Sequence, residues 1–396
     1  MEFNRKIIPV LEERSRQFRI VTLTGPRQSG KTTLCKKVFP HKQYISLEDP
    51  DERRHCLVDP KSFLRKVSKG AILDEIQRVP EFLSYLQTYV DAVDEKGLFI
   101  LTGSNQLALT ESVAQSLAGR TALLQLLPLQ FSEMALTSPY DWKIIALNGC
   151  YPGCIKDQIP AQVFYKSYYE TYVEKDVRNL IQLKNLMLFD KLLKLLAART
   201  GQILEYSSLA FEVGVSANTV KEWCSVLEAS YVIFRLPPFF ENLNKRLTKS
   251  PKMYFFDTGL LCYLLGIKTK QDLDTHPLRG FIFENFIAAD LFKIYANKGE
   301  SSPLYFYRDL ASIEVDFIWK EANRYHLMEL KSSMTYHPSF SKSLIKVDEI
   351  LQTKKVSKIG ANDITKTVVY DGASGFSEAG VSVAPWSDLL LSFPAI

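Results

Sequence analysis

The chain has 396 residues, more than one hydrophobic core usually serves, so two or three domains are expected. Its 46% hydrophobic and 23% charged residues argue against long disorder, and no apolar run is long enough to span a bilayer. Lys and Arg total 49 against 44 Asp and Glu; the net charge of +5 is too small to mark the whole surface for nucleic acid, so any basic surface must be local.

In the opening "MEFNRKIIPVLEERSRQFR", charges interrupt the apolar residues, unlike a signal peptide, and the expected location is the cytoplasm. Six cysteines stand at 35, 56, 150, 154, 224 and 262. Only Cys150 and Cys154 are close, and no second pair completes a zinc site, so buried reduced thiols are expected.

"RIVTLTGPRQSGKTTLCKKVF" reads as a strand from Arg19 to Thr24, a loop, and a helix from about Lys31. Gly25, Gly30, Lys31 and Thr32 fit G-x-x-x-x-G-K-[ST] in the strand-loop-helix context that the motif requires. Backbone N–H groups of Gly25, Pro26 to Gly30 (the proline excepted) and Thr33 would cradle phosphate, with Arg27, Gln28 and Ser29 forming the loop. Lys31 would reach the β- and γ-phosphates of ATP, and the Thr32 hydroxyl would ligate Mg²⁺.

"GAILDEIQRVP" follows as an apolar strand, Ala71 to Leu73, ending in Asp74 and Glu75. Asp74 would hold the Mg²⁺ shell and Glu75 would polarise the attacking water. A further strand, Leu98 to Leu101, ends at Thr102, Ser104 and Asn105; either Ser104 or Asn105 would face the γ-phosphate. Arg120 lies between a helix and the apolar strand Thr121 to Leu127. This placement resembles the arginine finger of AAA-type ATPases, which stabilises charge in a neighbouring subunit's site; the other reading pairs Arg120 with the helix C-terminus.

From Phe131 to about Asn185, helical spacing puts Tyr168 or Tyr169, Tyr172 and Val173 on one face, as helix-packing core and a helical lid that would bring Lys175 or Arg178 toward nucleotide. Next come three helices and a strand, with Ser207 and Ser208 capping a short helix, Gly214 ending it and Ser216 starting another, the winged helix-turn-helix pattern. On that helix Asn218, Thr219 and Lys221 would face a DNA groove, although Glu222 and Glu228 oppose phosphate and such modules also dock proteins. Lys245, Arg246, Lys249 and Lys252 form the densest basic stretch of the latter half, either a phosphate-backbone contact or a solvated loop.

In "RGFIFENFIAADLFKIYANKG", Phe283, Phe286, Ile287 and Leu291 share an apolar helix face, and Glu284 borders it. Three strands follow, "LYFYRD", "IEVDFIW" and "YHLMELKSS", in which alternation puts Glu314 with Asp316 and Glu329 with Lys331. Helix-Glu, strand-Asp, strand-E-x-K is the constellation of PD-(D/E)xK nucleases: Asp316 and Glu329 would ligate Mg²⁺ and Lys331 would steady hydroxide, with a salt-bridge ladder as the bland alternative.

"TGPRQSGKTTL", "ILDEIQRVPEF", "LTGSNQ", "SLAGRTALLQLLPLQFSE", "KSPKMYFFDTGL", "RGFIFENFIAADL", "YRDLASIEVDFI" and "MELKSS" together resemble a family of prokaryotic ATPases with an AAA-type P-loop domain and a C-terminal domain of formerly unknown function. The resemblance implies an α/β chain: an AAA-type P-loop ATPase core over 1–130, a helical lid over 131–185, a winged helix-turn-helix over 186–245 and an α/β PD-(D/E)xK nuclease-like domain over 246–396. Two functions are expected to compete. One is an ATP- and Mg²⁺-using ATPase that positions DNA for Mg²⁺-dependent cleavage; the other is an ATP-operated homo-oligomeric switch or DNA-binding module without cleavage.

Overall fold

The computed structural model describes residues 3–104, 116–134, 138–177, 186–239, 250–309, 311–322, 324–353 and 364–393. Its N-terminal part runs α1 (Ile8–Gln17), β1 (Ile20–Thr24), α2 (Lys31–Val38), β2 (Gln43–Ser46), α3 (Pro50–Val58), α4 (Pro60–Lys66), β3 (Ala71–Asp74), α5 (Phe82–Val93), β4 (Phe99–Gly103) and β5 (Thr121–Gln125). All five strands are parallel, in the order β2-β3-β4-β1-β5. Every residue of β1, β3 and β4 is buried, as a sheet covered on both faces demands, and this is why these strands read as unbroken apolar runs. Asp49 and Asp59 cap α3 and α4 by accepting from the N–H groups of Asp51 and Ser62. Parallel register puts Thr24 beside Gly103, so the carboxyl ends of β1, β3 and β4 share one edge of the sheet.

The helical middle comprises α6 (Trp142–Asn148), α7 (Pro152–Lys156), α8 (Ala161–Tyr168), a π-helical continuation over Tyr169–Val177, α9 (Leu186–Ala197), α10 (Tyr206–Val213) and α11 (Ala217–Ala229). Gly214, at φ +90°, ends α10, and the Ser216 hydroxyl caps α11 by accepting from the Thr219 N–H, as expected. The expected serine cap of α10 is absent: Glu205 holds that position, and Ser208 bonds Glu212 one turn on. Strand β6 (Ile233–Leu236) then pairs antiparallel with β7 (Lys252–Phe255).

The last part runs α12 (Thr258–Leu264), α13 (Lys270–Thr275), α14 (Arg279–Asn297), β8 (Tyr305–Arg308), β9 (Glu314–Glu321), β10 (Arg324–Lys331), α15 (Lys342–Thr353), β11 (Ile364–Tyr370), β12 (Phe376–Glu378), β13 (Val381–Pro385) and α16 (Trp386–Ser392). Its sheet has the order β12-β13-β11-β10-β9-β8; β8, β9 and β10 are antiparallel neighbours, while β11 is parallel to β10 and β13. The three strands expected from the sequence are β8, β9 and β10.

One apolar cluster contains Trp142, Tyr168, Tyr172, Val173, Phe189, Trp223, Phe283 and Trp386, so the middle helices and α14 bury their faces against each other. The tyrosine stripe is packing core. All six cysteines are buried and free. Among the described residues no helix is long and apolar enough to cross a membrane.

Candidate nucleotide site and C-terminal acid cluster

The loop after β1 can close tightly only because Gly25 and Gly30 lack side chains. Gly25 has φ +152°, and a Cβ there would lie 2.1 Å from the Leu126 carbonyl; Gly30, at φ +92°, starts α2. Lys31 is buried, and its Nζ donates to the carbonyls of Gly25 (2.9 Å) and Pro26 (2.8 Å), neutral acceptors that phosphate oxygens can replace. Burial pulls this amine down from 10.5 to about 8, against the opposing pull of Glu75 and Asp74. The Ser29 hydroxyl is buried without a partner.

Asp74 gathers the hydroxyls of the neighbouring elements. Thr32 Oγ1 and Tyr44 Oη donate to its Oδ2, each at 2.8 Å, and Thr102 donates to Oδ1. Glu75 follows at φ +57°, a left-handed conformation that costs a non-glycine residue about 1–3 kcal/mol. Its Oε2 accepts from Ser104 Oγ (3.1 Å) and from the Gln77 amide. Ser104 therefore reaches the acid pair; Asn105 lies outside the described residues. Two cavities, of about 320 and 420 Å³, meet over the loop and share Gln28, Gly30 and Thr33. Tyr168, Thr171 and Tyr172 wall the first, and Phe3, Leu34 and Pro152 line the second. Arg27 sits at the mouth, 3.7 Å from Glu48.

These residues fit a Mg²⁺ nucleotide: a cradle that a Cβ would fill, a buried lysine held only by loop carbonyls, and a hydroxyl against a carboxylate, the donor set that Thr32 and Asp74 would offer the ion.

Three groups that motif spacing did not indicate hold this site. Arg5 is buried; its guanidinium donates to the carbonyls of Ser29 (3.0 Å) and Leu127 (2.6 Å) and lies 3.3 Å from Glu133. Glu133 also accepts from the Lys6 N–H and faces Asn297 on α14 at 3.5 Å. Tyr231, at φ +57° just after α11, donates to Thr24 Oγ1 at 2.7 Å, and Tyr172 donates to the Ser230 carbonyl at 2.8 Å.

Arg120 precedes β5, at the edge opposite the phosphate loop, where it pairs through two nitrogens with Asp91 and donates to the Ala118 carbonyl. It does not reach this chain's own nucleotide site, and most of the helix expected before it lies outside the described residues. Arg178, Lys245, Arg246 and Lys249 lie outside the described residues, as does the Lys175 side chain. Asn218 and Lys221 are exposed near the start of α11.

Lys252 overturns its expected role as a surface phosphate contact. It is 1% exposed, on β7, and its Nζ lies 2.8 Å from Glu284, 2.6 Å from Glu314 and 3.7 Å from Asp316. The basic stretch misled because β7 pairs with β6 and turns this one lysine inward. Glu284 also accepts from Tyr254 Oη at 2.5 Å. Asp316 Oδ2 accepts from the Leu330 N–H at 2.8 Å, while Glu329 pairs with Lys331 at 2.5 Å and keeps its buried Oε2 unpartnered. Burial above all raises the carboxyls of Glu284 and Glu329.

Glu284, Asp316, Glu329 and Lys331 are thus neighbours, as the strand alternation indicates. They do not fit a divalent ion as they stand, because an ammonium group lies among the carboxylates. Among the described residues no three His, Cys, Asp or Glu side chains converge to hold a metal.

A parallel sheet with a phosphate loop after β1, an acid pair after β3 and a polar residue after β4 is the arrangement of a P-loop ATPase. Residues 17–135 match an AAA domain, residues 140–271 a domain of unknown function (DUF8612), and residues 279–389 another (DUF4143). An uncharacterized protein of Mycobacterium tuberculosis is 29% identical over 381 residues, 95% of this chain and 80% of that protein. One from Haemophilus influenzae is 22% identical, over 77% of this chain and 80% of its own length. Among solved structures, a Walker-type ATPase of Pyrococcus abyssi aligns with a TM-score of 0.43 at 15% identity, covering 65% of this chain and 94% of that one.

Proposed function

We propose that this protein is an ATP-hydrolysing switch that passes its nucleotide state to a DNA-engaging part, made of the helix-turn-helix and the C-terminal fold, without cutting the DNA. One observation carries the proposal: buried hydrogen bonds tie the phosphate loop to both other parts. Thr24, at the loop's entry, is held by Tyr231 at the end of α11, and the Ser29 carbonyl is held by Arg5, whose partner Glu133 faces Asn297 of α14.

In the ATPase step, loop N–H groups and Lys31 bind the phosphates, and the base takes the cavity beside Phe3 and Pro152. Thr32 and Asp74 would hold Mg²⁺, which would neutralise charge on the phosphates. Glu75, oriented by Ser104 and Gln77, accepts the proton of the attacking water.

Helices α9 to α11 followed by the β6–β7 hairpin support a winged helix, with Asn218 and Lys221 toward the groove. The helix and strands bearing Glu284, Asp316, Glu329 and Lys331 support a PD-(D/E)xK-like fold, and Lys252 among its acids favours binding over cleavage. A cytoplasmic, self-associating protein completes the reading.

The test is anisotropy of labelled duplex DNA with apo, ADP-bound and non-hydrolysable-ATP-bound protein. Affinity is expected to change at least threefold between nucleotide states in wild type, to be constant in Lys31→Ala, and to fall in Asn218→Ala/Lys221→Ala. Equal binding in every state, or none, overturns the switch.

A further inference from the structure

Lys252 is a cation with no outlet to solvent. Its ammonium is enclosed by Glu284 from α14 and Glu314 and Asp316 from β9, with the Tyr254 hydroxyl on the same Glu284 oxygen. Burying a lysine or a carboxylate costs least where an opposite charge lies against it. Across the cluster, Glu284, Glu314, Asp316 and Glu329 meet Lys252, Lys331 and Arg308, the last lying 3.2 Å from Glu314. Four acids face three fixed cations, so a divalent ion would leave the group with excess positive charge.

We propose that Lys252 is the resident cation of the C-terminal acid cluster, standing in for a divalent metal ion, and that the cluster is a latent hard-cation site that opens only when Lys252 is removed. A hard divalent ion takes six or more oxygens, several of them carboxylate. With Lys252 gone, Glu284 and Asp316 lose their ammonium partner, and Glu329, 8% exposed with an unpartnered Oε2, already has an oxygen free. With Lys252 present, these oxygens face a buried ammonium that Glu284, Glu314 and Asp316 enclose, on a strand paired with β6 and bridged to Ile203. The inference stands on this packing and does not depend on the ATP switch.

The experiment is Mn²⁺ titration of the nucleotide-free full chain, read by the loss of free-ion electron paramagnetic resonance signal. Wild type and Asp316→Asn are expected to bind Mn²⁺ identically. Lys252→Met is expected to gain one site at least tenfold tighter than any in wild type, absent from Lys252→Met/Asp316→Asn and from Lys252→Arg. A wild-type site that Asp316→Asn removes overturns the proposal, as does a folded Lys252→Met that gains none. Should Lys252→Met fail to fold by circular dichroism, the wild-type and Asp316→Asn pair decides alone: equal binding supports the resident lysine, and loss of a site refutes it.

Discussion

The Tyr231 hydroxyl donates to Thr24 Oγ1 at 2.7 Å across 207 residues of chain, and the Thr24 hydroxyl in turn donates to the Leu124 carbonyl at 3.2 Å. The turn that follows α11 is thereby bonded to the residue that enters the phosphate loop. Tyr231→Phe keeps the ring and deletes this bond, so stability should fall by only about 1 kcal/mol. ATP turnover without DNA should stay within twofold, while any effect of DNA on turnover disappears. Steady-state ATPase assays with and without duplex DNA check this, and a DNA response equal to wild type would remove Tyr231 from the coupling path.

Lys31 makes ATP binding pH-dependent. Its amine is lowered to about 8 in the free protein by burial, and bound phosphate favours the charged form. Affinity should be flat below pH 8 and weaken above it, toward about tenfold per pH unit. The stability sign is opposite: between about 8 and 10.5 the unfolded chain holds a proton that the folded chain has released, so this group adds stability as pH rises through that window. Calorimetric titration from pH 7 to 9.5 measures the first effect, and Lys31→Met should abolish it.

Arg5 and Glu133 form a buried pair whose halves serve different parts of the molecule. Arg5→Met leaves Glu133 without its guanidinium partner and frees the Ser29 carbonyl; a loss of about 3–5 kcal/mol is expected. Arg5→Met/Glu133→Gln should recover part of that stability but not the nucleotide affinity, because the loop loses its anchor in both. Denaturant melts and ATP binding on the two variants separate these effects.

Arg120 is engaged by Asp91 on the sheet edge away from the phosphate loop. Arg120→Ala should keep turnover per chain within about twofold at all protein concentrations. A loss of about 10³-fold, the scale of an arginine finger, would instead assign it to a neighbouring copy's site. ATPase rates across a protein dilution series distinguish the two.

The nucleotide site was largely legible because its parts are local. A glycine-bracketed loop, its lysine and threonine, and acids at the end of an apolar strand are set by neighbours in the chain, and parallel pairing then brings Thr24, Asp74 and Ser104 to one edge. The C-terminal quartet was legible for a similar reason: alternation along β9 and β10 sorts their charges by face. Lys252 was misread because its neighbours in sequence are basic, and nothing local reveals that β7 faces inward.

By itself the sequence determined the phosphate loop, its acid pair and the helix-strand-strand acid set, since backbone conformation and strand periodicity depend on adjacent residues. Only the tertiary structure decided which cation answers Glu284, what grips Thr24 and Ser29, and that Arg120 is held by Asp91. Those pairings join residues 32, 207, 24 and 29 positions apart; the first three are selected by the cost of burying a charge or a hydroxyl unpaired once the elements have packed, whereas Arg120 and Asp91 meet as an exposed two-nitrogen pair.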